Sequence, residues 1–258
     1  MTSRVRVHPT LAAMAEVYRL PREGGRDAPR FGPYTAAAAA TWGLPFYNPM
    51  AGDHALVAVE TLLAMDAERL TQECAERVVA VAAFDGTVDL AVIVASAGMW
   101  TDRVATEVNY RTVETRKPGY GMVYQWTRET PTREGLEREA CAETLRVIWT
   151  SLHGPARTMQ EVLHREGLAY AMAARCMTDP VPVERPSPDD SAAVEGALEV
   201  LGASEDAGEI AAVLFGDAVA EQMGWATLGI GDRAGYRWAI ARAIDLQHLA
   251  TTPVARAS

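Results

Sequence analysis

The six consecutive apolar residues from Leu90 to Ala95 constrain this chain more than any other feature. The run is rich in branched side chains. Asp85-Gly86 bounds it on one side and Ser96-Ala97-Gly98 on the other. A strand with one wet face would alternate apolar and polar residues. A short unbroken run instead suits a strand buried on both faces, as in a parallel sheet covered by helices. The wider stretch Val88–Arg103 therefore reads as a central strand, a turn permitted by Gly98, and a polar and aromatic cluster, Trp100-Thr101-Asp102-Arg103.

Two further strand candidates accompany it. Trp42 to Tyr47 is short, apolar and aromatic, with Pro45 placing it at an edge. Met122 to Trp126 follows the break RKPGYG at 116–121. The stretch from Arg77 to Ala83 admits either a strand or the end of a helix. Helical periodicity fills the intervals. His8 to Arg19 places Leu11, Met14, Ala15 and Tyr18 on one face, and Tyr34 to Ala40 is alanine-rich. A helix from His54, with Asp53 as its N-cap, buries Leu56, Val59 and Leu63 and leads into a second amphipathic run. Another helix starts near Thr101 or Asp102. The clearest one runs from Pro131 to about Ser151, with Thr130 as cap and Leu136, Ala140, Leu145 and Ile148 as its core stripe. Strands alternating with helices predict an α/β fold: a small three-layer core with a mostly parallel sheet.

Beyond His153-Gly154-Pro155 the pattern is helical, over Thr158–Arg175, Ser191–Leu201, Glu205–Met223 and Asp232–Leu249. The proline-rich segment 178–190 reads as a linker. The expected organisation is a basic N-terminal arm and helix (1–34), an α/β core (35–177), the linker, and a helical C-terminal region (191–258). That last region carries enough apolar surface to pack on the core or to form a homo-oligomer.

The formal net charge of −10 argues against a nucleic-acid partner, because phosphate neutralisation needs a basic face. The charge is uneven. Six arginines against three acids make residues 1–34 basic, and the loop 20–33 is a candidate lid or mobile arm. No apolar run reaches the roughly 20 residues of a membrane helix. The N-terminus lacks the apolar segment of a signal peptide, so a cytoplasmic protein is expected. One lysine, Lys117, among many arginines and alanines suggests a GC-rich bacterial genome. Three cysteines without a CxxC form no zinc or disulfide framework; Cys141 and Cys176 read as small core residues.

If the strands are parallel, the loops at their C-terminal ends meet in one crevice, where ligands bind in open α/β sheets. The first loop brings Asn48, Asp53 and His54. The second brings Ser96, Trp100, Thr101, Asp102 and Arg103, and the third brings Trp126, Thr127, Arg128 and Glu129. Helix N-termini there point backbone N–H groups at the crevice and favour an anion. Arg103 and Arg128 add bidentate grips for carboxylate or phosphate. His54 is the candidate general base, with Asp102 or Glu129 as its partner acid. Asn48, Trp100, Thr101, Arg103, Trp126, Thr127 and Arg128 are the expected substrate contacts. Ser96 has neither a GxSxG elbow nor an evident His–Asp order around it, so a nucleophilic serine is not expected. The leading expectation is a cofactor-independent lyase, isomerase or hydrolase acting on a small anionic metabolite.

Two alternatives stand beside it. Glu161-Val162-Leu163-His164 is a Glu-x-x-His pair on one helix face, and His153 is near in sequence. Together His153, Glu161 and His164 form a candidate divalent-metal site for a non-haem iron or similar enzyme. The other alternative is a non-catalytic ligand-binding protein or subunit.

Overall fold

The structure, a computed structural model, describes residues 3–23, 28–41, 47–96, 119–127, 129–178 and 184–245. It is a mixed α/β fold with one parallel sheet of three strands: β1 (Arg4–His8), β2 (Thr87–Ala95) and β3 (Tyr120–Trp126), in the order β1-β2-β3. The apolar run is the central strand, as its composition requires. It is buried from Val88 to Ala95 and pairs in parallel with both neighbours, Val7 opposite Leu90 and Leu90 opposite Gly121.

The first strand differs from the expectation. Trp42–Phe46 lie outside the described residues, and Tyr47 is not in a strand. The partner of β2 is instead Arg4–His8, from the segment read as a basic arm. Its sequence, RVRVH, alternates with period two. Val5 and Val7 pack on the core, while Arg6 Nε (2.5 Å) and His8 Nε2 (3.1 Å) reach the buried Asp89 Oδ1 on β2. Asp89 on the central strand thus gives two polar side chains on one face of the edge strand a shared buried acceptor.

Four helices connect β1 to β2: α1 (Leu11–Arg19), α2 (Phe31–Thr41), α3 (Asp53–Ala64) and α4 (Ala67–Val81). The stretch from Arg77 to Ala83 is thus mostly helical. After β3 come α5 (Arg133–His153) and α6 (Met159–Cys176), then α7 (Pro188–Leu201), α8 (Ala207–Phe215), α9 (Asp217–Met223) and α10 (Ala234–Asp245). Thr132, not Thr130, caps α5, accepting from Gly135 N at 3.0 Å. The expected helix over 205–223 is interrupted at Gly216.

One core unites the sheet with α1, α3, α4, α5 and the C-terminal half of α6; Leu11, Met14, Leu62, Leu70, Leu90, Leu136 and Ile148 are fully enclosed there. Each such side chain contributes roughly 1.5–3 kcal/mol. A second core joins the N-terminal half of α6 to α7, α8 and α10 through Met159, Leu163, Val194, Leu214 and Phe215. Helix α6 therefore belongs to both cores and ties the helical region to the sheet. Cys74, Cys141 and Cys176 are all buried.

Close approach of α5 to β3 depends on Gly121. A Cβ there would lie 2.6 Å from Glu143 Oε1 and from Val147 Cγ2. In the space so gained Glu143 Oε1 accepts the Met122 N–H at 3.2 Å. The Glu143 carboxylate belongs to a buried charge cluster. Arg146 donates to Glu143 (3.2 Å) and, through Nε and Nη2, to Glu166 (3.0 and 2.9 Å), and Arg165 donates to Glu166 at 3.0 Å. Two cations and two anions thus neutralise each other between α5 and α6.

Candidate functional site

In the basic segment 20–33, described over 20–23 and 28–33, Arg30 is a buried anchor. Arg30 is only 4% exposed. Its guanidinium donates to four carbonyls: Leu20 (2.7 Å) and Tyr18 (2.7 Å) at the end of α1, and Pro49 (3.0 Å) and Ala51 (2.9 Å) in the turn before α3. Burial, and then the nearby charge of Arg22, lowers its pKa. Tyr18 Oη adds a bond to Asn48 O at 3.1 Å, and Asn48 Oδ1 accepts from Met50 N at 2.9 Å, closing an Asx turn. Asn48, expected as a substrate contact, is thus engaged in building this turn. Replacing Arg30 by alanine is expected to lower stability by about 2–3 kcal/mol, since four buried acceptors lose a charged donor. The midpoint of urea unfolding measures the loss.

The pinned turn delivers α3 to the C-terminal end of β2. There His54 Nε2 lies 3.1 Å from Ser96 Oγ. Ser96 is buried at the strand end, and His54 is exposed on the first turn of α3. No side chain caps α3, whose N-cap is Gly52 rather than Asp53. The Gly52 Cα faces the imidazole: a Cβ there would lie 3.1 Å from His54 Nδ1 and Cε1. A Gly52→Ala variant has no backbone strain, as φ is −71°. It must displace the ring by a few tenths of an ångström. If the His54–Ser96 contact is catalytic, its expected effect is about a tenfold fall in kcat with little change in Tm, because reacting groups tolerate misplacement poorly. Steady-state kinetics and a thermal melt on one sample separate the two.

The other strand ends are arranged differently. After β1, the N–H groups of Thr10 and Leu11 both donate to Glu68 Oε1, at 2.7 and 2.9 Å. The protein thus supplies its own anion to the α1 N-terminus. After β3, Thr127 N donates to Ala95 O at 3.1 Å, which brings Trp126 and Thr127 beside Ser96 along the sheet edge. Trp126 stacks on Tyr124 with ring centroids 5.4 Å apart. Trp126 and Glu129 line a cavity of about 280 Å³ between β3 and α5, together with Arg138, Glu139, Arg146 and Tyr170. Trp100, Thr101, Asp102, Arg103 and Arg128 lie outside the described residues. Of the expected catalytic set, then, His54 meets a hydroxyl partner at the end of β2 and Glu129 faces the neighbouring cavity. Ser96, set aside in the sequence for want of an elbow motif, is that partner. Its place at the end of the most apolar strand was the available signal.

The candidate metal ligands are engaged otherwise. Glu161 closes a capping box at the start of α6, accepting from Arg157 N (2.9 Å) and Thr158 N (3.2 Å). These backbone bonds hold its carboxyl below the usual carboxylate range. His153 and His164 both pack on Trp149, at ring-centroid distances of 4.4 and 5.3 Å. Among the described residues no three His, Cys, Asp or Glu side chains are grouped to hold a metal ion, and no helix is long and apolar enough to cross a membrane. Comparisons with protein-family models, with curated proteins and with solved structures returned no match, so the functional reading is carried by the geometry at the end of β2.

Proposed function

We propose that the protein is a cofactor-independent hydrolase of a small anionic metabolite, working in the cytoplasm, with Ser96 as nucleophile and His54 as general base. The observation that carries this reading is the 3.1 Å contact between His54 Nε2 and Ser96 Oγ at the C-terminal end of the central parallel strand. A serine hydroxyl is a weak nucleophile until an adjacent base takes its proton, and this is the distance at which an imidazole can do so.

In the proposed reaction Ser96 Oγ adds to an ester carbonyl as its proton passes to His54 Nε2. The tetrahedral intermediate expels the alcohol, which leaves with that proton. Water then attacks the acyl-serine, again losing its proton to His54. Collapse of the second intermediate returns the proton to Ser96 and releases the acid. The N-terminus of α3, open at its cap, offers backbone N–H groups and a partial positive charge to an anionic substrate.

Covalent trapping tests the reading. A fluorophosphonate probe should add its phosphonyl group to the peptide containing Ser96, with loss of fluoride, in the native protein and not in the urea-unfolded chain. Labelling elsewhere, or none, would sink the proposal.

A further inference from the structure

Arg22 shares the space beside the His54 imidazole. The point where a Cβ would start on Gly52 lies 3.1 Å from His54 Nδ1 and Cε1, and 3.4 Å from Arg22 Nη1. The guanidinium and the imidazole edge therefore flank one small volume above the turn that precedes α3.

The charges around that volume are unbalanced. Arg30 is a second cation close enough for the two guanidinium groups to disfavour each other, and it donates to four backbone carbonyls. Asp53 acts on Arg30, and among the described residues no carboxylate pairs with Arg22. Several other cations do find acids: Arg6 has Asp89, Arg19 has Glu60, Arg133 has Glu137 and Arg185 has Asp245. Arg22 is exposed, and what sets it apart is its place, within reach of the same point as the His54 ring and beside a second guanidinium. An arginine so placed presents a planar fork suited to an anionic oxygen group.

We infer that Arg22 selects the substrate by gripping a carboxylate or phosphate carried on the acyl side of the bond that Ser96 attacks. This rests on the Ser96–His54 reading and adds the substrate class: short acyl groups ending in an anion, since Arg22 and His54 border the same space. Arg22 is a binding residue and takes no part in proton transfer. Arg30, which donates to Leu20 O at 2.7 Å, ties down the backbone two residues before Arg22.

Two measurements on the full-length protein test this. The first is calorimetric titration of wild type and Arg22→Ala with succinate and, separately, with inorganic phosphate. Wild type should bind at least one anion, and the variant should bind it about 10- to 100-fold more weakly; the stronger of the two identifies the group. Absence of binding to wild type, or equal binding to both proteins, overturns the inference. The second compares nitrophenyl hemisuccinate with nitrophenyl acetate. Arg22→Ala should lower the ratio of kcat/KM values, hemisuccinate over acetate, about 10- to 100-fold, chiefly through KM, and Arg22→Lys should fall between. An unchanged ratio overturns the inference. Ser96→Ala separates it from the catalytic reading: that variant should lose hydrolysis of both esters yet keep anion binding. Retained hydrolysis would remove Ser96 as nucleophile and leave the anion site standing.

Discussion

Replacing His54 by alanine is expected to lower kcat for ester hydrolysis by about 10²–10⁴-fold, the usual contribution of a positioned general base. Ser96→Ala should cost at least as much, because it removes the atom that forms the acyl bond. The double variant should be scarcely worse than Ser96→Ala alone, since two groups that serve one step do not add. Neither change should unfold the protein. His54 is exposed, and alanine at Ser96 removes only a hydroxyl that bonds His54. A stability change within about 0.5–1 kcal/mol is expected. Pre-steady-state kinetics adds a sharper readout: wild type should release a burst of nitrophenol equal to the enzyme present, and Ser96→Ala should show no burst. Full activity in either single variant would refute the assignment.

Arg146→Ala is expected to cost about 3–5 kcal/mol of stability, the largest effect of any single change at this cluster. The side chains of Arg146, Glu143 and Glu166 are at most 2% exposed, so deleting the guanidinium strands two carboxylates in the interior without their shared cation. Removing one partner of a buried pair costs far more than removing both. The double variant Arg146→Met, Glu166→Leu should therefore recover part of the loss, since Glu143 still loses its contact with Arg146 and Arg165 its contact with Glu166. Urea unfolding of the two singles and the double measures the coupling directly. Losses that simply add in the double variant would show that the charges do not act as a unit. The cluster also lines the cavity beside β3, so the single variant should perturb that cavity as well as stability.

Much of the framework was legible in the sequence. The apolar run at Leu90–Ala95 is the central parallel strand, and Met122–Trp126 is part of its neighbour. Helices α5 and α6 follow the periodicity that predicts them, and Leu136, Ala140, Leu145 and Ile148 form a buried stripe as expected. These features follow from local physics: runs, periods, caps and breaks that each span a few residues. Arg4–His8 was harder to see. Its alternation is that of a strand, but three of its five residues carry ionisable side chains, and the acceptor shared by Arg6 and His8, Asp89, lies more than 80 residues away. The buried role of Arg30 left no local trace either. Its acceptors are carbonyls, and every sequence supplies those.

By itself, then, the sequence determined the fold class, the central strand and the residue types available at the strand ends, because a strand buried on both faces must be apolar whatever surrounds it. Which of those residues meet was decided by the tertiary structure alone. His54 and Ser96 are 42 positions apart. They meet because Arg30 fastens the turn before α3 to the end of α1, which aims the first turn of α3 at the tip of β2. Hydrogen bonds to backbone carbonyls are blind to side-chain identity, so no residue pattern in the turn announces the contact, and only the folded path of the chain brings base and hydroxyl to 3.1 Å.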